Sequence, residues 1–321
     1  RLCRDWSSDV CSSDLHNHYK ITQPFHPEVS NGPASSEPVF HYSDDSFDQV
    51  VQGVELSTDE GRFLSLGGYY NFTLGGYNDQ DIHAGAHLNL GRAGRAGRFR
   101  GMVRFASIEP PYFFGRFTSN FVSWNRDFSK TQILNLNARF SLRNITLEAN
   151  NYLINNSLYF NHQALPEQNQ TAIGFFDLRA KGNIEFGRFG LRNQMVVQRA
   201  TTQAFERFPT FISHHSLFMN LALFQEALVT QLGFDFYFNT DYYAMSYMPV
   251  TRSFFAQDKQ RTDNFIIVDA YLNAKIKRTR IFLKYQNISG LITHSPPQYY
   301  ISFHPLPESM FKFGVSWMFY D

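Results

Sequence analysis

The chain ends Phe311-Lys312-Phe313-Gly314-Val315-Ser316-Trp317-Met318-Phe319-Tyr320-Asp321, and this stretch narrows the possible folds most. Side chains alternate across a strand. One face therefore carries Phe311, Phe313, Val315, Trp317 and Phe319, and the other Lys312, Gly314 and Ser316. A strand between lipid and water must read this way. The competing reading is a soluble edge strand, but that face left bare in water would invite aggregation.

The same period of two recurs from about Gln49 onward. Ile82, Ala84, Ala86, Leu88 and Leu90 oppose Asp81, His83, His87 and Asn89. Leu134, Leu136, Ala138, Phe140 and Leu142 oppose Asn135, Asn137, Arg139 and Ser141. Phe176, Leu178, Ala180, Ile184 and Phe186 oppose Asp177, Arg179, Lys181, Asn183 and Glu185. Ile266, Val268, Ala270, Leu272, Ala274 and Ile276 oppose Asp269, Asn273, Lys275 and Lys277. Weaker versions lie near 49–57, 62–74, 97–107, 145–154, 189–199, 212–225, 228–238, 279–289 and 311–320, about thirteen strands in all.

Connections alternate in length. Arg143-Asn144, Gly187-Arg188, Gln225-Glu226-Ala227 and Arg278-Thr279 are tight, while 108–130, 155–171, 200–211, 239–263 and 290–310 are long. Short turns on one rim and long loops on the other are the pattern of outer-membrane barrels. The expected fold is all-β, an antiparallel up-and-down transmembrane β-barrel over residues 49–321. Bacterial single-chain barrels have an even number of strands, so at least one more is expected N-terminal to these.

The start of the chain reads differently. Asp5-Trp6-Ser7-Ser8-Asp9-Val10-Cys11-Ser12-Ser13-Asp14-Leu15 is what a common sequencing-library adapter would encode. Residues 1–15 are therefore expected to be an adapter-derived artefact, foreign to the fold. Residues 16–48, with Pro, Ser, Asn and Asp and little periodicity, read as a loop or a stranded leader. Cys3 and Cys11 are the two cysteines, so no disulfide or thiolate metal site is expected in the body.

Formal net charge is +1, from 29 Lys and Arg against 28 Asp and Glu, which gives no support to nucleic-acid binding. No apolar run approaches the roughly 18 residues of a membrane-crossing helix. A barrel evades that test, because its apolar residues occupy every second position.

Several segments resemble the Bacteroidetes-type outer-membrane porin family. They are Pro111-Tyr112-Phe113-Phe114 with Ser119-Asn120 and Trp124, His215-Ser216-Leu217-Phe218 leading to Gln231-Leu232-Gly233, and Tyr242-Tyr243-Ala244-Met245-Ser246-Tyr247-Met248-Pro249. The terminal strand from Phe311 to Trp317 is the fourth. The match spans most of 100–321. Met245 and Ser246 depart from it where Pro, Ala or Asp is expected, as does Asp321 after the aromatic pair. The resemblance implies an outer-membrane β-barrel of porin type, without catalytic residues and without a defined solute.

The polar face carries the functional content. Arg139, Asp177, Arg179, Lys181, Glu185, Arg192, Asp235, Asp269, Lys275 and Lys284 are the candidate pore-lining residues. Charge is tolerated there only if that side is wet, since a lipid-facing Arg or Lys at mid-depth costs roughly 2–4 kcal/mol. No metal or other cofactor is expected. His83 and His87 share a face, but four residues of strand span roughly 13 Å, too far for one ion at about 2.1 Å from each nitrogen. His214 and His215 point to opposite faces. Ser213, His215 and Asp235 could form a hydrolase triad only if the fold brought them together. Gly91 to Gly97 (Gly-Arg-Ala-Gly-Arg-Ala-Gly) lacks the Lys-Ser/Thr of a phosphate loop and reads as a turn.

The expected function is passive diffusion of small polar solutes through a charged aqueous lumen. The alternative is a non-channel barrel serving as an adhesion or assembly platform through its long loops. The partners implied are outer-membrane lipid and small polar solutes, not nucleic acid. Oligomer formation is open at this point.

Overall fold

A computed structural model describes residues 9–24, 40–58, 63–91, 97–119, 121–202, 207–292, 299–317 and 319. The elements begin with β1 (Asp9–Pro24), β2 (Phe40–Ser57), β3 (Leu64–Leu74), β4 (Ile82–Gly91) and β5 (Arg98–Ile108). A single helical turn α1 (Tyr112–Gly115) and the short hairpin β6 (Arg116–Thr118) and β7 (Ser123–Asn125) follow. Next come β8 (Thr131–Leu142), β9 (Ile145–Asn155), the hairpin β10 (Ser157–Phe160) and β11 (Pro166–Asn169), then β12 (Ile173–Phe186) and β13 (Phe189–Ala200). After β14 (Phe211–Leu223) and β15 (Leu228–Asn239) lies the hairpin β16 (Ser246–Met248) and β17 (Ser253–Phe255). The chain finishes with β18 (Phe265–Ile276), β19 (Thr279–Gln286), α2 (Ser289–Ile292), β20 (Tyr299–Ile301), β21 (His304–Pro305) and β22 (Met310–Trp317).

Fourteen strands form one antiparallel sheet in sequence order, β1-β2-β3-β4-β5-β8-β9-β12-β13-β14-β15-β18-β19-β22. This is an all-β, up-and-down meander of the barrel type. Among the described residues β1 and β22 share no ladder, so the sheet has a seam between them. The short connections 58–63, 143–144, 187–188, 224–227 and 277–278 fall on one rim and the long ones on the other. Tightness demands left-handed backbone in those turns, at Arg143 (φ 48), Gly187 (φ 59) and Lys277 (φ 51).

Thirteen of these strands coincide with the periodic segments, to within a few residues at their ends. The fourteenth, β1, and the start of β2 at Phe40 lie in the N-terminal region, whose residues 16–48 read as a loop or a stranded leader. Residues 16–24 and 40–48 are strand rather than loop, and residues 9–15 pair with Glu55 to Gln49. A ladder is built from backbone N–H and C=O groups that every such residue carries. A stretch without periodicity can therefore extend a sheet, and the pairing says nothing about the origin of 1–15. Residues 1–8 lie outside the described residues, as do Arg92 and Arg95 of the glycine-rich turn.

Burial is inverted relative to a water-soluble protein, where a buried polar group is the exception. Asp177 is 0% exposed, while Phe313 is 71% and Trp317 62% exposed. Along β18, Phe265, Ile267, Asp269, Tyr271, Asn273 and Lys275 take one face and Ile266 to Ile276 the other, as the alternation predicts. Unbroken cross-strand registers carry this division around the sheet. The face with the ion pairs is the inner one, and the outer face is apolar and suited to lipid.

Candidate functional site

The inner face concentrates charge because every second residue of each strand points there. Its first cluster spans β8, β9 and β12. Arg139 donates to Glu148 Oε2 from Nε at 3.0 Å and Nη2 at 2.7 Å. Asn137 Nδ2 donates to Glu148 Oε1 at 3.0 Å and to Asn150 Oδ1 at 2.7 Å. Asn150 Nδ2 donates to Asp177 Oδ1 at 3.0 Å, and Arg179 Nε donates to the same oxygen at 2.6 Å. One continuous network therefore joins two arginines and two carboxylates through two asparagines. The asparagines share the face that the alternation assigns them, but an uncharged side chain gave no separate signal.

The second cluster spans β14, β15, β18 and β19. Asp235 and Asp269 stand directly opposite each other across the β15–β18 ladder. Like charges so placed repel. Lys284 relieves this, with Nζ 2.7 Å from Asp269 and 3.9 Å from Asp235. His214 stacks on Tyr237 at 4.3 Å between centroids, and its Nε2 lies 3.8 Å from Asp235. Ser216 Oγ and Tyr271 Oη are 3.2 Å apart. In the sequence His214 is weighed only as a metal ligand and Ser216 only within a family motif. None of His214, Ser216 and Tyr271 is among the pore-lining candidates, because their partners lie on strands distant in the chain.

Lys181, Glu185, Arg192 and Lys275 complete the predicted set on the inner face. Arg192 lies 4.5 Å above the Phe218 ring, which covers Gly190 so closely that any Cβ there would collide. Among the described residues no carboxylate is within ion-pair distance of Lys181, Arg192, Lys275 or Arg280, nor of Arg98, Arg100 or Arg104 on β5. A cavity of about 840 Å³ opens along this wall, lined in part by Lys181, Arg192, His214, Asp235, Tyr271 and Lys284. Ser213, His215 and Asp235 do not come together: His215 points outward and Asp235 inward, because odd positions of β14 pair with even positions of β15.

The long loops are tied to one another along the opposite rim. Lys130 Nζ reaches Asp81 at 2.6 Å and Glu109 at 3.5 Å. Arg126 Nη1 donates to the Pro166 carbonyl at 2.6 Å. The Ala256 amide donates to the Phe160 carbonyl at 2.9 Å, and His162 meets Asp258 at 2.7 Å. Those two loops leave the sheet three strand steps apart, roughly 14 Å, so they lean toward each other above β13 and β14. Ser302 and the Phe303 amide both donate to Gln260 Oε1, tying in the last loop. Phe113, Phe117, Trp124 and Phe160 form an aromatic core between the β6–β7 and β10–β11 hairpins.

A family model described as "Putative porin" matches residues 14–321. No curated protein matches the chain. Among solved structures it is similar to that described as the FpvAI–pyocin S2 complex, with TM-score 0.62 and 11% identity over 96% of this chain and 46% of that one. The pyoverdine outer membrane receptor FpvA of Pseudomonas aeruginosa PAO1 aligns at TM-score 0.58 and 11% identity, over 97% and 50% of the two chains. The FrpB iron transporter of Neisseria meningitidis aligns at 0.57 and 11%, over 85% and 45%. The chain spans about half the length of these proteins, and at such identity the likeness shows the fold alone.

Proposed function

The chain belongs to the family described as "Putative porin", and from that premise we propose that this bacterial outer-membrane barrel is a passive diffusion pore for small polar solutes. The observation that carries the reading is the inner face itself. Charged side chains line it beside a cavity of about 840 Å³, and they are tolerable there only in contact with water. Arg139, Asp177, Arg179, Lys181, Glu185, Arg192, Asp235, Asp269, Lys275 and Lys284 are the proposed lining. They filter by size and charge, with no chemical step and no cofactor. The tied loops narrow the outer mouth.

Most inner carboxylates are held by bases, whereas several bases stand without a carboxylate. The pore should therefore prefer anions weakly. Salt should mute the preference, because the Debye length falls from about 10 Å at 0.1 M to about 3 Å at 1 M. Planar-bilayer reversal potentials and swelling of vesicles in neutral sugars test both points. Expected results are an anion preference fading with salt and a sugar flux falling with solute size.

Exposed aromatics on the long loops favour a second reading, an adhesion or assembly platform. Phe121 is 85% and Phe303 68% exposed. Absence of both conductance and sugar flux would reject the pore and leave the platform.

A further inference from the structure

One row of the outer face breaks its apolar pattern. Gly182, Asn193, His215, Phe236 and Val268 are consecutive cross-strand partners from β12 to β18, and all point outward. On one side of this row lie Ala180, Met195, Ser213 and Phe238, of which only Ser213 is polar, and beyond them Leu178, Val197 and Phe211. On the other side lie Ile184, Leu191, Leu217 and Phe234, and beyond them Phe186, Phe189, Met219 and Leu232. Two largely apolar rows therefore flank Asn193 and His215 on each side, which sets the pair within the lipid-facing band.

His215 Nδ1 and Asn193 Oδ1 are 2.7 Å apart. An amide oxygen only accepts, so Nδ1 carries the proton and Nε2 is left as an acceptor. Asn193 Nδ2 is left as a donor. Among the described residues neither atom has a hydrogen-bond partner, and hydrocarbon chains supply none.

We propose that this row is the contact between two copies of the chain, related by a twofold axis along the membrane normal. Such an axis keeps every residue at its own depth while exchanging left and right. His215 of one copy then faces Asn193 of the other, offset in depth by roughly 3 Å because strand tilt sets cross-strand partners at different heights. Each free Nδ2 donates to the Nε2 opposite, and both unsatisfied groups are paired at once. The contact is self-complementary, as a twofold interface must be. Gly182 and Ala180 beside Asn193 leave room for close approach. The proposal rests on the membrane placement of the barrel and not on its conducting solutes.

The test is sedimentation in detergent together with energy transfer between labelled copies in vesicles. Wild-type protein should dimerise. N193L and H215L, which put lipid-compatible side chains on the outer face, should each weaken the dimer at least tenfold. The exchanged variant N193H/H215N keeps one donor opposite one acceptor and should restore it. Heat-modifiable gel mobility reports folding, and conductance is read separately. A wild-type monomer at every protein-to-detergent ratio, or leucine variants that dimerise unchanged, would overturn the proposal.

Discussion

Asp177 carries no exposed surface, and its carboxyl oxygen Oδ1 accepts from both Arg179 and Asn150. Removing one partner of a fully buried ion pair costs about 3–5 kcal/mol. Here the Arg179 side chain keeps 44% of its exposure and can rehydrate, so the loss is closer to that of a charged hydrogen bond. Asp177→Ala should destabilise the barrel by about 1.5–3 kcal/mol, measured by denaturant unfolding in micelles. It should also free Arg179 and raise the anion preference. A variant of unchanged stability would mean that the network joining β8, β9 and β12 is decorative.

At the scale of elements, the hairpin of β10 and β11 is the most informative. Burial raises the Tyr159 phenol to about 12, helped by its hydrogen bond to Glu167. A group whose folded pKa is raised stabilises fully below its unfolded value, near 10, and that contribution fades as pH rises toward about 12. The hairpin packs its Phe160 against Trp124 at 5.9 Å between centroids. Tryptophan fluorescence should therefore change with Tyr159 ionisation between pH 10 and 12, and Tyr159→Phe should abolish that step. Elements of this kind were not legible in the sequence, where 155–171 is simply a long loop. The wall strands were legible, because lipid outside and water inside impose a strict alternation. β1 was not, since its ladder needs only backbone. Inner-face residues such as Asp269 and Lys284 were readable as a face, but their pairing depends on which strands the sheet brings together. The pairing of Asn193 with His215 on the outer face was not legible, because Ser213-His214-His215-Ser216 is polar on both faces.

The molecule as a whole distributes its inner charge unevenly along the strands. Asp81 and Glu109, both held by Lys130, lie at the long-loop rim. Asp177, Asp235 and Asp269 sit within the strands, each with a base beside it. The bases without a carboxylate gather toward the short-turn rim. Arg98 begins β5, Arg192 follows Phe189 closely, and Lys275 and Arg280 flank the turn at 277–278. If the proposed pore conducts, this asymmetry should make it rectify, since anions would meet attraction first from one side and last from the other. Current–voltage curves in symmetric low salt should be asymmetric and straighten at 1 M. Replacing Arg192, Lys275 and Arg280 with Gln should remove the asymmetry while leaving the channel open, and a curve that stays bent would place its origin in the loops instead.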